Sequence, residues 1–129
     1  MIKKNNQNKT VAIIEDDQIL VKALGDELKD AGYQVIKAFN GRDGLALVLK
    51  EHPDLILLDI VMPEMDGNTM LSSLRQDPWG RDVPVIILSD LNEASKVTKA
   101  LVQQAFDYMV KSSWTLDDII KRVNDKLRG

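Results

Sequence analysis

Two runs of four apolar residues in this chain each stop on carboxylates. Val11-Ala12-Ile13-Ile14 runs into Glu15-Asp16-Asp17, and Leu55-Ile56-Leu57-Leu58 runs into Asp59. Such runs read as strands of a parallel sheet, each presenting acid at its carboxyl end. Ligands of open α/β sheets bind just outside those ends. If the two strands are neighbours, Glu15, Asp16 and Asp59 form one acidic pocket. That pocket suits magnesium, a hard cation that takes oxygen ligands, keeps several waters and bridges to phosphate oxygens. Two later strand ends carry Ser89-Asp90 and Lys111-Ser112-Ser113. A hydroxyl and a lysine converging on the same place would bind the remaining oxygens of a phosphoryl group. The chemistry implied is phosphoryl transfer, where positioning and charge neutralisation supply most of the catalysis.

The elements that must hold these groups alternate regularly, apolar runs of strand length with helical patterns, the signature of βαβ units on a parallel sheet. Thr10 to Ile14 reads as the first strand. Ile19, Leu20, Ala23, Leu24, Leu28 and Ala31 then recur at helical spacing, stopped by Gly32. Tyr33 to Phe39 reads as the second strand, and Asn40 as the cap of a helix whose buried face is Leu45 to Leu49. Asp54 to Leu58 is the expected third strand, with a helix from about Asp66 to Arg75 after it. Asp77-Pro78-Trp79-Gly80 is dense in breakers and reads as a turn. Val83 to Leu88 follows as the fourth strand, then a helix from about Asn92 to Gln104 and a short strand from Asp107 to Val110. Thr115, with Asp118 three residues on, caps a last helix that faces inward through Leu116, Ile119, Ile120, Val123 and Leu127.

The 129 residues fit one domain with a real core. A net charge of −3 argues against a dedicated nucleic-acid binder. The basic residues gathered near the end, Lys121, Arg122, Lys126 and Arg128, read instead as complements to a helix dipole. The chain has no cysteine, which excludes disulfides, thiolate chemistry and zinc–sulfur sites. Residues 1–9 are polar and lack the apolar stretch of a signal peptide. No apolar run approaches the roughly 20 residues of a membrane span. A cytoplasmic protein with a flexible tail over 1–9 and one domain over 10–129 is the expectation.

Read together, these positions resemble the receiver domain of two-component response regulators, from about Thr10 to Leu127. The most specific stretch is Leu57-Leu58-Asp59-Ile60-Val61-Met62-Pro63-Glu64-Met65-Asp66-Gly67, joined by Pro84-Val85-Ile86-Ile87-Leu88-Ser89. The resemblance implies a five-stranded parallel sheet in a doubly wound, flavodoxin-like (βα)5 arrangement, strand order 2-1-3-4-5. It makes Asp59 the phosphoacceptor, supplied by a histidine kinase or phosphotransfer protein. Glu15, Asp16, Asp59 and the backbone carbonyl of Val61 would hold Mg2+. Lys111 and Ser89 would contact the phosphoryl group, with Ser89 and Tyr108 acting as the switch pair. Activation would change the surface of the helix over 92–104, the fifth strand and the last helix, to be read by a downstream protein. No direct contact with nucleic acid or membrane is expected, and the chain would be a monomer or a phosphorylation-dependent dimer. It would be a signalling phosphoacceptor and not an enzyme, beyond its own phosphotransfer and slow dephosphorylation.

Two positions depart from the family pattern. Ser112 stands where a proline usually follows the lysine, and a cis peptide costs about 2.5–4 kcal/mol at residues other than proline, which favours a trans turn. Asp90 stands where a small residue is common, so an extra carboxylate at the mouth would modulate donor approach or the lifetime of the phosphorylated state.

Blander readings exist for single residues. Asp17 reads better as a helix cap than as a metal ligand, and Asp66-Gly67 as the turn into the third helix. His52, before Pro53, reads as a helix C-terminal residue on the side of the sheet away from the acids, and Trp79 as a cover over core. A phosphatase with an aspartyl nucleophile needs a second acid two residues on, where this chain has Val61. A cofactor-binding flavodoxin-like protein needs a phosphate-cradling first loop, which Glu15-Asp16-Asp17 would oppose. The remaining alternative is a pseudo-receiver acting as a phosphorylation-independent interaction module.

Overall fold

In a computed structural model of the chain, residues 9–60, 64–89, 107–110 and 115–128 are described. Their elements are β1 (Thr10–Ile14), α1 (Gln18–Asp30), β2 (Gln34–Ala38), α2 (Gly41–Glu51), β3 (Leu55–Asp59), α3 (Gly67–Gln76), β4 (Val85–Ser89), β5 (Asp107–Val110) and α4 (Leu116–Leu127). The chain forms an α/β, flavodoxin-like parallel sheet, its strands hydrogen-bonded in the order β2-β1-β3-β4-β5. The expected helix over 92–104, and all of the expected tail over 1–9 except Lys9, lie outside the described residues.

The strands are apolar throughout because both faces of the sheet are covered. Ala12, Ile14, Ile56, Leu58, Val85 and Ile87 face one core, under α2 and α3. Val11, Ile13, Leu55, Leu57, Ile86 and Leu88 face the other, under α1 and α4. The alternation is the two-residue period of a pleated strand. Helix α4 contributes Ile119 and Val123, with Leu116, Ile120 and Leu127 half-buried beside them. In α2 the fully buried positions are Gly41, Gly44 and Val48, while Leu45 and Leu49 pack from the rim.

Helix ends follow local chemistry. Asn40, Asp66 and Thr115 each accept a backbone N–H three residues on, and Thr115 forms a reciprocal capping box with Asp118. His52 ends α2 in a left-handed conformation (φ 50°) and its ring stacks on Trp79, centroids 4.3 Å apart and 7° from parallel. Trp79 packs against the α2–α3 core from its loop. That loop is held by Arg75, whose guanidinium donates to the carbonyls of Gly80 (2.8 Å) and Val83 (2.7 Å).

The limits of β2, β3 and β4 differ from the sequence expectation, and β2 is one residue shorter at each end. β3 runs from Leu55 to Asp59, so the aspartate is the last residue of the strand and not the first beyond it. β4 begins at Val85 because Pro84 supplies an acceptor, taken by Ile56 N–H at 3.0 Å, but no donor.

Tyr33 ties the α1–β2 turn to the last helix. Its hydroxyl, on a side chain only 3% exposed, donates to Asn124 of α4, and burial pushes the phenol above its usual range, against a weaker opposing pull from Arg128. A folded-state pKa above the unfolded value gives stability that is complete below pH about 10 and is lost as pH rises through the folded value. Tyr33→Phe is expected to cost about 1 kcal/mol at neutral pH. It should also flatten the alkaline decline in urea midpoint, and an equally steep decline in the variant would refute the assignment.

Candidate functional site

The order of the strands puts the topological switch point between β1 and β3, where the crevice of an open α/β sheet lies. Register completes the placement. Ile14 pairs with Leu58, so Glu15 and Asp59, the next residues, stand side by side at the carboxyl edge of the sheet and at one height. Both continue the pleat positions of Ile13 and Leu57, on the side covered by α1 and α4. Glu15 is fully buried and Asp59 is 2% exposed; Asp16 is exposed at the rim.

Each of these three acids offers a carboxylate oxygen within 4.8 Å of the others. Carboxylates gathered so closely, two of them out of water, repel one another unless a counter-charge joins them. The donor set is all hard oxygen, with room for waters on the exposed Asp16 side, which fits Mg2+ and does not fit a soft metal.

The loop from β1 to α1 is locked around this cluster. Glu15 N–H extends the ladder to the carbonyl of Ala38 (3.1 Å), and Glu15 Oε2 accepts from Asp17 N–H (3.0 Å). Asp17 Oδ1 in turn accepts from Ile19 and Leu20 N–H, at 3.1 and 3.2 Å. Asp17 is therefore the cap of α1, and its carboxylate is spent on the helix end.

On the other side, the residues after Asp59 are gripped by α3. Gly67 N–H donates to the Ile60 carbonyl at 2.7 Å. A Cβ on Gly67 would sit 2.6 Å from the Asp59 carbonyl oxygen and 2.7 Å from Ile60 Cα. Only glycine lets the helix start this close to the acid's own backbone. Glu64, at φ 72°, brings the chain back toward α2, where its carboxylate meets Arg42 Nη1 at 3.1 Å.

Ser89 is the last residue of β4 and pairs with Val110; Tyr108 lies within β5, paired with Ile87. Asp59 pairs with Leu88, one residue before Ser89, so the backbones of these two candidates end adjacent strands. Val61, Asp90, Lys111 and Ser112 lie outside the described residues. The structure thus brings together Glu15, Asp16 and Asp59 and sets Ser89 on the neighbouring strand end. The contact of Gly67 with Asp59 escaped the sequence reading, where Asp66-Gly67 looked only like a turn.

Comparison with known proteins agrees with this geometry. Residues 11–124 match the response regulator receiver domain family. The chain is 34% identical over 118 residues to the DNA-binding dual master transcriptional regulator RpaA of Synechocystis, covering 92% of this chain and 48% of that protein. Among solved structures, the signal receiver domain of a Syntrophus aciditrophicus signal transduction histidine kinase is 31% identical with TM-score 0.83, covering 94% of this chain and 91% of that one. The Thermotoga maritima response regulator TrrA, solved in complex with Mg(2+)-BeF, is 26% identical with TM-score 0.78, over 91% and 97% of the two chains. The protein belongs to the response regulator receiver domain family of two-component signalling. Receiver domains are signalling proteins that accept a phosphoryl group, generally bind Mg2+, and work between histidine kinases and downstream effectors. The chain spans about half or less of the length of the curated relatives it matches. Among the described residues no helix is long and apolar enough to cross a membrane.

Because Gly67 abuts the acid's backbone, Gly67→Ala is expected to destabilise the fold by about 1–3 kcal/mol through overpacking. It should also weaken Mg2+ binding as Asp59 is pushed out of line. Urea unfolding and calorimetric Mg2+ titration would check both; unchanged affinity in a folded variant would show that the contact does not position the site.

Proposed function

We propose that Asp59 is the phosphoacceptor of this receiver, charged by a histidine kinase or phosphotransfer protein. The observation that carries the reading is the buried Asp59 carboxylate lying within 4.8 Å of Glu15 and Asp16 at the switch point. Glu15, Asp16, Asp59 and the backbone carbonyl of Val61 would hold Mg2+, which when bound neutralises the pocket and the incoming phosphoryl oxygens.

A carboxylate oxygen of Asp59 attacks phosphorus in line with the leaving nitrogen of a phosphohistidine. The new O–P bond forms as the N–P bond breaks, and the histidine leaves with the bonding pair. Glu15, held by Asp17 N–H, stays fixed during transfer, so little reorganisation accompanies it. Lys111 and Ser89 take phosphoryl oxygens as cation and hydroxyl donor. Drawing in Ser89 leaves space for Tyr108 to turn inward, one strand away in the sheet. The output is a changed surface on the segment over 92–104, β5 and α4, read by a downstream protein. Asp90, next to the switch residue, tunes the lifetime of the phosphorylated form.

The rest of the reading is part of the same proposal. The domain occupies 10–129, after a polar tail over 1–9, with the complete (βα)5 arrangement including a helix over 92–104. It works in the cytoplasm, as a monomer or a phosphorylation-dependent dimer, and makes no direct contact with nucleic acid itself.

Incubation with Mg2+ and acetyl phosphate, followed by intact-mass measurement, tests the assignment. One phosphoryl adduct is expected on the parent, none on Asp59→Ala, and none on the parent after chelation of Mg2+. Absence of an adduct with any donor would favour the pseudo-receiver. Asp90→Ala should change the decay rate of the adduct several-fold, and identical decay curves would remove Asp90 from the account.

A further inference from the structure

The strand order places β2 and β5 at opposite edges of the sheet. The proposed output surface lies around β5, which leaves the β2 edge without a role. There Gln18, Val21, Lys22, Asp26 and Lys29 of α1 and Lys37 and Phe39 at β2 line an open groove of about 440 Å3. Three lysines and one acid share this groove, a locally positive patch on a chain of net charge −3. The single acid is already engaged, Asp26 Oδ2 meeting Lys22 Nζ at 3.0 Å. Phe39 is 41% exposed, one of two large hydrophobic side chains out in solvent among the described residues.

A second observation concerns Gly25, buried in the middle of α1. Glycine there costs about 1 kcal/mol relative to alanine. Its effect is to let the Lys37 stem lie across the helix: a Cβ would stand 3.1 Å from Lys37 Cε and 3.4 Å from its Nζ. A lysine at a sheet edge can serve simply to discourage strand pairing. That explains Lys37 alone, and leaves the buried glycine and the exposed Phe39 unaccounted for.

We propose that this α1–β2 groove docks an acidic, extended segment of a partner protein carrying one apolar side chain that meets Phe39. From Gln18, at its upper end, to Lys29 the groove follows α1 for about 16 Å at a rise of 1.5 Å per residue. An extended segment at about 3.3 Å per residue spans that length with about five residues. The chain's own first residues carry Lys3 and Lys4 and no acid, so they have the wrong charge to fill it. Three lysines are too few for a nucleic-acid backbone, whose binding needs a concentrated basic face. The contact is independent of Asp59: it tethers the receiver by one edge while the other remains open for output.

The test uses the full chain and a fluorescein-labelled peptide with four glutamates around one phenylalanine, read by anisotropy. Binding that weakens with salt is expected, with at least tenfold loss in the double variant Lys29→Glu/Lys37→Glu. Gly25→Ala should displace Lys37 and weaken binding several-fold while the melting temperature stays level or rises, a split that a purely structural glycine would not give. Asp59→Ala should bind as the parent does. The proposal is overturned by any one of four results: no binding, equal binding to the double variant, equal binding of a lysine-for-glutamate peptide, or a groove that instead binds single-stranded oligonucleotide or a second copy of the chain.

Discussion

The side-by-side placement of Glu15 and Asp59 depends on one constraint, the register between β1 and β3. A slip of one residue would exchange the two faces of a strand. Here that would turn a carboxylate into apolar core, at a cost no local interaction could offset. The far end of the pair is clamped as well. Thr10 N–H donates to the Asp54 carboxylate at 2.7 Å, and Asp54 N–H returns to the Thr10 carbonyl at 2.8 Å. Between clamp and acids lie only residues with no exposed surface, Val11 to Ile14 against Leu55 to Leu58. The acidic site is therefore an outcome of core packing, and it inherits the rigidity of the most buried part of the molecule.

That rigidity is extended outward through the two loops by different means. On the β1 side it is hydrogen bonding: Glu15 to Asp17, and Asp17 to the first turn of α1. On the β3 side it is close approach, α3 beginning against the carbonyl of Asp59 itself. The site acid thus sits between a strand it cannot leave and a helix it cannot move without unfolding a turn. Where a covalent modification lands on such a fixed group, the change it produces must be taken up elsewhere, and in this reading it goes to the β4 and β5 side.

Much of this was legible in the sequence because it is carried by local rules. Continuous apolar runs of strand length marked the strands, and caps at Asp17, Asn40 and Thr115 could be read from a side-chain acceptor just ahead of a helical pattern. The acids of the site were legible because each stood where an apolar run stopped. What could not be read was tertiary. Nothing near Gly67 says that its missing side chain faces Asp59, and nothing near His52 says that its ring will lie on Trp79. The strand limits at Asp59 and Pro84 moved for a related reason. Polar and proline residues look like ends, yet a neighbouring strand can still use their backbone groups, as β4 does for Asp59 and as Ile56 does for the Pro84 carbonyl.

Helix α1 links the two chemistries of the molecule. Its N-terminus is fixed by the residue that follows Glu15 and Asp16, while its outer flank, with Lys22, Asp26 and Lys29, forms a wall of the basic groove. The other wall comes from β2, whose terminal carbonyl, at Ala38, holds Glu15 N–H. A segment seated between Lys29 and Phe39 would therefore press on the two elements that frame Glu15 and on none of those that carry Ser89 or Tyr108. Buried strands resist deformation, so such a partner could anchor the domain without disturbing the acid cluster. Under the two proposals, opposite edges of one sheet would serve separate purposes: β2 for a constant hold, and β5 for the face that changes when Asp59 is modified.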